Sequence, residues 1–396
     1  MNRKFFLAAI AAVMGITFTG CSNDNDVPGA NGEKAIDQNR INFEYISENA
    51  PATRGLAANL SDVKADGFKV WAFNATKADA TGATPYMGTK NVGLTSTWQD
   101  AHSAFVPSTN YYWPEYKLSF MALTPMNGGG INESSIEATQ PEAGIPQLKL
   151  DVDIPTTLAE QKDIMIACNT KKGFEDVTGG NVQMLFKHAL SQIVFKGRIN
   201  SASVLTKVEV KNIAIVNVAS DGTITYTAND DQTKGAFATG SQGVSNKTFR
   251  ANIVNMNVTY KGTGTDYDDI TGSNLSDQLA YNGSTTRKQQ IMMLPQVVNS
   301  GKTDGNGVTL TQPTSGTYIQ VNADFYANNN NSNKVVESTT NIYIPLNETE
   351  WKPGFKYTYL LTFGDTNDSG ESPLLHPITF SATVDTWQTG ESNLDL

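Results

Sequence analysis

Apolar residues recur at every second position along this chain, and that period limits the fold more than any other feature. Phe68, Val70 and Ala72 alternate, with Trp71 and Phe73 on the opposite parity, and Leu118, Phe120 and Ala122 repeat the pattern. Val208 and Val210 point one way, Glu209 and Lys211 the other. Val254, Met256, Val258 and Tyr260 share a face, as do Ile319, Val321, Ala323 and Phe325. Phe355, Tyr357, Tyr359, Leu361 and Phe363 follow, then Ile378, Phe380, Ala382 and Val384 interleaved with Thr379, Ser381, Thr383 and Asp385. Such a period belongs to strands, and polar alternate positions imply antiparallel sheets with one face in water. Long helical periodicity is absent; a turn or two of helix is expected over Thr156–Lys162. Asp221-Gly222, flanked by Ala219-Ser220 and Thr223, predicts a hairpin, because Asp-Gly tolerates positive φ. The chain is therefore read as all-β. Its 396 residues are enough for more than one domain. A seam is expected near Thr178-Gly179-Gly180-Asn181, between an N-terminal β-sandwich over 55–178 and a C-terminal one over 181–396.

The first twenty residues read as an address. Arg3 and Lys4 precede an apolar stretch from Phe5 to Phe18, which is shorter than the ~20 residues of a comfortable membrane span. Residues 1–20 are thus a secretory signal peptide. Phe18-Thr19-Gly20-Cys21 resembles a bacterial lipobox, with Phe18 and Thr19 standing where Leu and Ala or Ser are usual. Cys21 is the expected lipidation site, since the diacylglycerol is attached to its sulfur. Several acyl chains, at ~0.8 kcal/mol per buried CH₂, would hold the protein on a membrane. Ser22-Asn23-Asp24-Asn25-Asp26 resembles the surface-export signal of Bacteroidales lipoproteins. Residues 21–54 then form a polar tether, with a reach of ~30 Å if flexible. The tether carries one apolar alternation, Ile41, Phe43 and Tyr45, which reads as a strand over Ile41–Ile46.

Composition and motifs point away from chemistry. A net charge of −10 argues against a nucleic-acid partner. Three histidines, His102, His188 and His376, lack metal-ligand spacing. With Cys21 lipidated, Cys168 stands alone; it shares the parity of Ile164 and Ile166 and reads as a buried strand residue. No nucleophile elbow, zincin helix, Walker loop or Cys-x-x-Cys pair occurs. Asp365-Thr366-Asn367-Asp368-Ser369-Gly370 imitates the start of a calcium loop, but His376 occupies the place of the bidentate Glu. Asp266-Tyr267-Asp268-Asp269 reads as a solvated acidic loop. No cofactor is implied. Tyr111-Tyr112-Trp113-Pro114 is either core and edge packing or a sugar-stacking platform.

Several of these motifs together resemble the Bacteroidales fimbrillin family, the Mfa-like lipoprotein subunits of type V pili. They are Tyr112-Trp113-Pro114 with Leu118, Phe120, Ala122 and Pro125; Asp163-Ile164-Met165-Ile166-Ala167; Phe186-Lys187-His188-Ala189-Leu190-Ser191-Gln192-Ile193; Met293-Leu294-Pro295-Gln296; Ile344-Pro345-Leu346; Trp351-Lys352-Pro353-Gly354 with Tyr357-Thr358-Tyr359; and Val384-Asp385-Thr386-Trp387. The resemblance implies two tandem transthyretin-like β-sandwich domains and no enzyme activity. It implies an outer membrane lipoprotein at the cell surface, assembled into a fimbrium as a structural or tip subunit that supports adhesion to a host protein or glycan receptor. An Arg-specific protease would cut Arg54-Gly55 and remove the N-terminal segment, and a strand from another fimbrillin subunit would fill the vacated edge. The tail Gln388–Leu396 is short and has little apolar residue content beyond Leu394 and Leu396, which sits better with a tip or accessory subunit than with a stalk. The alternative is a surface-anchored glycan-binding lipoprotein that never polymerises; a secreted hydrolase has no motif behind it. Intact-mass analysis of detergent-extracted protein should find the mature chain beginning at an acylated Cys21; an unmodified Cys21 would remove the anchor from this reading.

Overall fold

The computed structural model describes residues 39–47, 60–78, 84–177, 181–199, 205–230, 233–243, 246–251, 256–259, 268–269, 291–298, 311–329, 332–347, 349–364 and 379–386. Nine strands come first: β1 (Asn42–Ser47), β2 (Phe68–Asn74), β3 (Leu94–Gln99), β4 (Ala104–Pro107), β5 (Leu118–Thr124), β6 (Glu137–Glu142), β7 (Ile145–Asp153), β8 (Met165–Lys172) and β9 (Asn181–His188). One short helix, α1 (Leu60–Asp66), precedes β2. Seven of the strands close a barrel in the order β1-β4-β3-β2-β5-β8-β9. Its interior holds Phe68, Val70 and Ala72 from β2 and Leu118, Phe120 and Ala122 from β5, all with no exposed surface.

The opposite parity of these strands is also buried, contrary to the expectation of one wet face. Trp71, Phe73, Met121 and Leu123 lie in a second apolar cluster with Leu148, Leu150, Ile166, Cys168, Ile224 and Tyr226. The reason is a covering layer. β6 and β7 leave the barrel and pair with β12 (Asp221–Ala228), itself paired with β13 (Gly235–Gln242), to form a four-stranded sheet. That sheet packs on the barrel wall and takes the water's place over β2, β5 and β8.

The same layer corrects the expected hairpin. β11 (Leu205–Val218) pairs with β14 (Lys247–Ala251), β15 (Met256–Thr259) and β19 (Tyr318–Asn329), whereas β12 pairs with β7 and β13. Asp221 and Gly222 therefore begin a strand that crosses to another sheet. The positive φ falls earlier, at Asn217 (φ 62°). Long-range bonds hold the crossover: Ser220 Oγ donates to Asp153 Oδ1 at 2.6 Å and Ile154 N donates to Ser220 O at 2.8 Å. A turn motif specifies local backbone, and tertiary partners decide where the chain goes next.

The remaining strands build two facing sheets. One is β16-β10-β22-β23, where β10 is Ser191–Ile199, β16 Asp268–Asp269, β22 Phe355–Phe363 and β23 Thr379–Thr386; β17 (Ile291–Met293) also pairs with β10. The other is β14-β11-β19-β20, where β20 is Ser332–Pro345. Phe325 of β19 meets Phe363 of β22 edge to face at 6.1 Å, and both contribute to the shared core. β18 (Gln296–Val298) and β21 (Thr349–Trp351) form a small ribbon. The turn or two of helix expected over Thr156–Lys162 is a single 3₁₀ turn, Leu158–Glu160.

The expected seam at 178–181 is crossed from both sides. β9 begins at Asn181 and joins the barrel, and β12 and β13 extend the sheet of β6 and β7. Residues Asn39–Leu396 accordingly form one unit. The family-like motifs are the joints of this unit. His188 Nδ1 lies 2.8 Å from Asp163 Oδ2, and Ala189 N donates to Ile164 O at 2.8 Å. Ser191 Oγ donates to Lys352 O at 2.8 Å, and Gly354 N donates to Leu190 O at 2.9 Å. Gly354 sits at φ +72°, a conformation glycine adopts without penalty. Two buried glutamines span the unit. Gln161 Oε1 accepts from Met292 N at 2.9 Å, and Gln296 Oε1 accepts from Ala219 N at 2.9 Å.

Cys168 lies on the barrel wall facing the covering sheet, with Sγ 3.7 Å from Tyr226 Oη. Burial pushes its thiol up to about 11. At pH 8 the thiolate is therefore depleted by roughly 100-fold relative to an ordinary thiol, since only the thiolate reacts. In a Cys21→Ser variant, Cys168 should resist iodoacetamide at pH 8 when native and react fully in guanidinium. Rapid labelling of the native protein would show the wall to be open.

Candidate assembly site

The barrel closes at a seam on either side of β1. β1 lies between β4 and β9 and is the only barrel strand that enters from the N-terminal segment. With β4 it is antiparallel, with Phe43 opposite Phe105. With β9 it runs parallel, from Asn42 opposite Asn181 to Ser47 opposite Phe186. Every other ladder of the barrel is antiparallel. Upstream of β1 the pairing continues: Ile41 N donates to Tyr111 O at 2.8 Å, Trp113 N donates to Asn39 O at 3.0 Å, and Arg40 bridges to Tyr112.

The alternation read from Ile41, Phe43 and Tyr45 places those side chains in the barrel. Ile41 and Phe43 have no exposed surface, and Tyr45 packs at its margin. The Phe43 ring meets Phe68 at 5.8 Å and Phe120 at 5.6 Å, both edge to face. Tyr45 stacks on Phe186 at 5.4 Å. Glu44, on the other parity, is exposed. Burying one such apolar side chain stabilises by about 1.5–3 kcal/mol. Removing β1 would leave the rings of Phe68, Phe105 and Phe120 and the backbone groups of β4 and β9 facing water. Sheet edges in that condition pair readily with another strand.

Val182, Met184 and Phe186 of β9 also line this slot. They alternate in the sequence and so announce a strand, yet their partner lies some 140 residues upstream and runs parallel, which no local pattern reveals. Other expected site residues fall elsewhere. Cys21, Arg54 and Gly55 lie outside the described residues, as do Asp365–Gly370, His376 and the tail Gln388–Leu396. Of the acidic run, Asp268 and Asp269 form β16 beside Lys196 and Gly197, and Asp266 and Tyr267 lie outside the described residues. Trp113 packs edge-on against Phe120 at 5.8 Å, so it serves the barrel core, while Tyr112 keeps 41% of its surface exposed. Among the described residues, no cluster of three or more His, Cys, Asp or Glu side chains is placed to hold a metal, and no helix is long and apolar enough to cross a membrane.

A β-barrel closed by a separately entering N-terminal strand, backed by a second layer and a sandwich, defines a class of strand-built scaffold. Comparison with known proteins gives its family: residues 53–387 match the fimbrillin-like family model, and the chain belongs to that family. It is similar to the fimbrium subunit Fim1C of Phocaeicola vulgatus, at 23% identity over 394 residues, covering 91% of this chain and 92% of that relative. It is also similar to the crystal structure of a fimbrial protein from Bacteroides vulgatus, at 16% identity and a TM-score of 0.48, covering 88% of this chain and 99% of that one.

The geometry assigns a cost to each slot residue. Phe43→Ala should destabilise the intact chain by about 3–5 kcal/mol, and Ile41→Ala by about 2–5 kcal/mol. Glu44→Ala should stay within about 0.5 kcal/mol. Urea unfolding followed by tryptophan fluorescence measures all three. Equal, small effects would mean that β1 contributes little to the barrel.

Proposed function

We propose that the chain is a cell-surface fimbrial subunit assembled by protease-triggered strand exchange. Lipid on Cys21 holds the precursor on the outer membrane. An Arg-specific protease cuts between Arg54 and Gly55, in the stretch that separates β1 from α1. The released segment carries β1, and the slot between β4 and β9 then accepts a strand from another fimbrillin subunit. The polymer supports adhesion, and the protein's role is structural, with no substrate transformed.

The observation that carries this reading is the position of β1: a fully integrated barrel strand joined to the rest of its barrel only through the stretch that contains Arg54. Two further facts support it. Arg40, the other arginine near β1, sits within the paired stretch, where a protease would have to break a ladder to reach the bond. The match to the fimbrillin-like family begins at residue 53, leaving β1 outside it. Parallel pairing with β9 matters as well. A parallel neighbour cannot be supplied by a tight hairpin, so the place is one that a strand from elsewhere in sequence must fill.

Cleavage and strand release are separable steps, and two variants divide them. Arg54→Ala should leave the precursor uncut by an Arg-specific protease and free of high-molecular-weight assemblies on electron microscopy. Phe43→Cys with Phe105→Cys pairs two residues directly opposite one another, where Cα atoms lie about 4.5–5.5 Å apart, within disulfide reach. The oxidised double variant should be cut normally yet fail to polymerise until reduced. Normal fibres from either uncut or disulfide-locked protein would refute strand exchange at this slot.

A further inference from the structure

The two ends of β1 are held unequally. On the β4 side, bonds run from Asn39 to Phe43: Trp113 N donates to Asn39 O at 3.0 Å, Ile41 N donates to Tyr111 O at 2.8 Å, and Phe43 stands opposite Phe105. On the other side, the ladder to β9 runs from Asn42 to Ser47. The two sets of bonds meet around Phe43. Burial follows the same gradient. Ile41 and Phe43 have no exposed surface, whereas Tyr45 and Ile46 are half-buried. The Phe43 ring reaches across the barrel to Phe68 and Phe120, at 5.8 and 5.6 Å. Tyr45 instead stacks on Phe186 of the adjacent strand β9, at 5.4 Å.

A cut after Arg54 breaks none of these contacts, because all of them lie between Asn39 and Ser47. Loss of the whole strand in one step would expose the aromatic interior and the edges of β4 and β9 together. Backbone groups left unpaired in such a setting are costly. Replacement residue by residue avoids that cost, since each bond that β1 gives up is remade by the strand that follows it. Opening begins where least is lost, at the half-buried end.

Resting on strand exchange at this slot, we propose that cleavage leaves β1 seated as a non-covalent plug, and that the incoming strand drives it out from the Tyr45 end, with the Phe43 pocket the last to change occupant. Cleavage then licenses assembly without starting it. A cut subunit stays closed until another strand is present to displace β1. That strand takes the direction of β1 beside β9 and presents apolar side chains at the places of Ile41, Phe43 and Tyr45. Its first apolar contact is with Phe186, as the Tyr45 ring lifts away.

The test uses the full chain with the recognition sequence of a site-specific protease in place of Thr53-Arg54-Gly55, so the result does not depend on which protease acts on the natural chain. After cutting, the fragment that carries β1 should co-elute with the rest of the chain on gel filtration and separate from it in guanidinium. A fluorescent peptide with the sequence of residues 39–47 is then added, and its uptake is followed by anisotropy. Uptake should quicken in proportion to peptide concentration. Tyr45→Ala in the peptide should slow uptake about tenfold, whereas Ile41→Ala should slow it by less than about twofold and speed later loss about tenfold. Both substitutions are in the peptide, so the folding of the chain is untouched. A fragment that falls away on cutting, uptake at a rate independent of peptide concentration, or equal slowing by the two substitutions would overturn the proposal and leave strand exchange standing. No uptake by a chain already stripped of its fragment would remove strand exchange itself.

Discussion

The parallel ladder between β1 and β9 is the closing bond of the barrel, and much else in the structure is arranged around it. Six of the seven barrel ladders are antiparallel and involve strands on the C-terminal side of residue 54 on at least one side. The seventh joins Asn42–Ser47 to Asn181–Phe186 in parallel. Without β1 the remaining six strands form an open sheet with an aromatic interior. Phe68, Phe105 and Phe120 meet in that interior around Phe43 or one another, at 4.9–5.8 Å. A hydrophobic interior of this kind strongly favours a seventh strand, whatever its origin. Closure is thus favoured by the rest of the barrel and supplied by a strand that enters from the N-terminal segment.

The remainder of the fold braces the barrel from outside. The outer face of β2, β5 and β8 is packed against the sheet of β6, β7, β12 and β13. The chain just after β9 is tied to the start of β8 by Ala189 N donating to Ile164 O, and to the turn before β22 by Ser191 Oγ donating to Lys352 O and Gly354 N donating to Leu190 O. On the side away from β1, β9 pairs with β8 in an antiparallel ladder from Leu185 to His188. A strand edge held in place while its neighbour is missing is a template, and a mobile one is not.

Much of this was legible in the sequence, for reasons that can be named. Strand positions followed from a period of two, because burial alternates wherever a face is packed. The strand over Ile41–Ile46 appears as β1 with its alternation facing the barrel core. Trp71 and Phe73 were equally visible, but their burial needed the knowledge that β7 and β12 would cover them, and nothing local encodes a layer contributed from 150 residues away. Asp221-Gly222 misled for the same reason: its backbone tolerance is real, but the crossover is held by Ser220, Asp153 and Ile154. The slot stands between these cases, since each of its strands could be found separately and only their parallel pairing could not.

Amide hydrogen exchange across β9 tests the central claim most directly. The chain is cut with an Arg-specific protease, the peptide up to Arg54 is removed, and exchange at residues 181–186 is followed by mass spectrometry. Protection at these amides should fall in the cut monomer and return when a subunit strand is added. Unchanged protection after the peptide has left would mean that β9 does not depend on β1, and that the barrel is closed by something else.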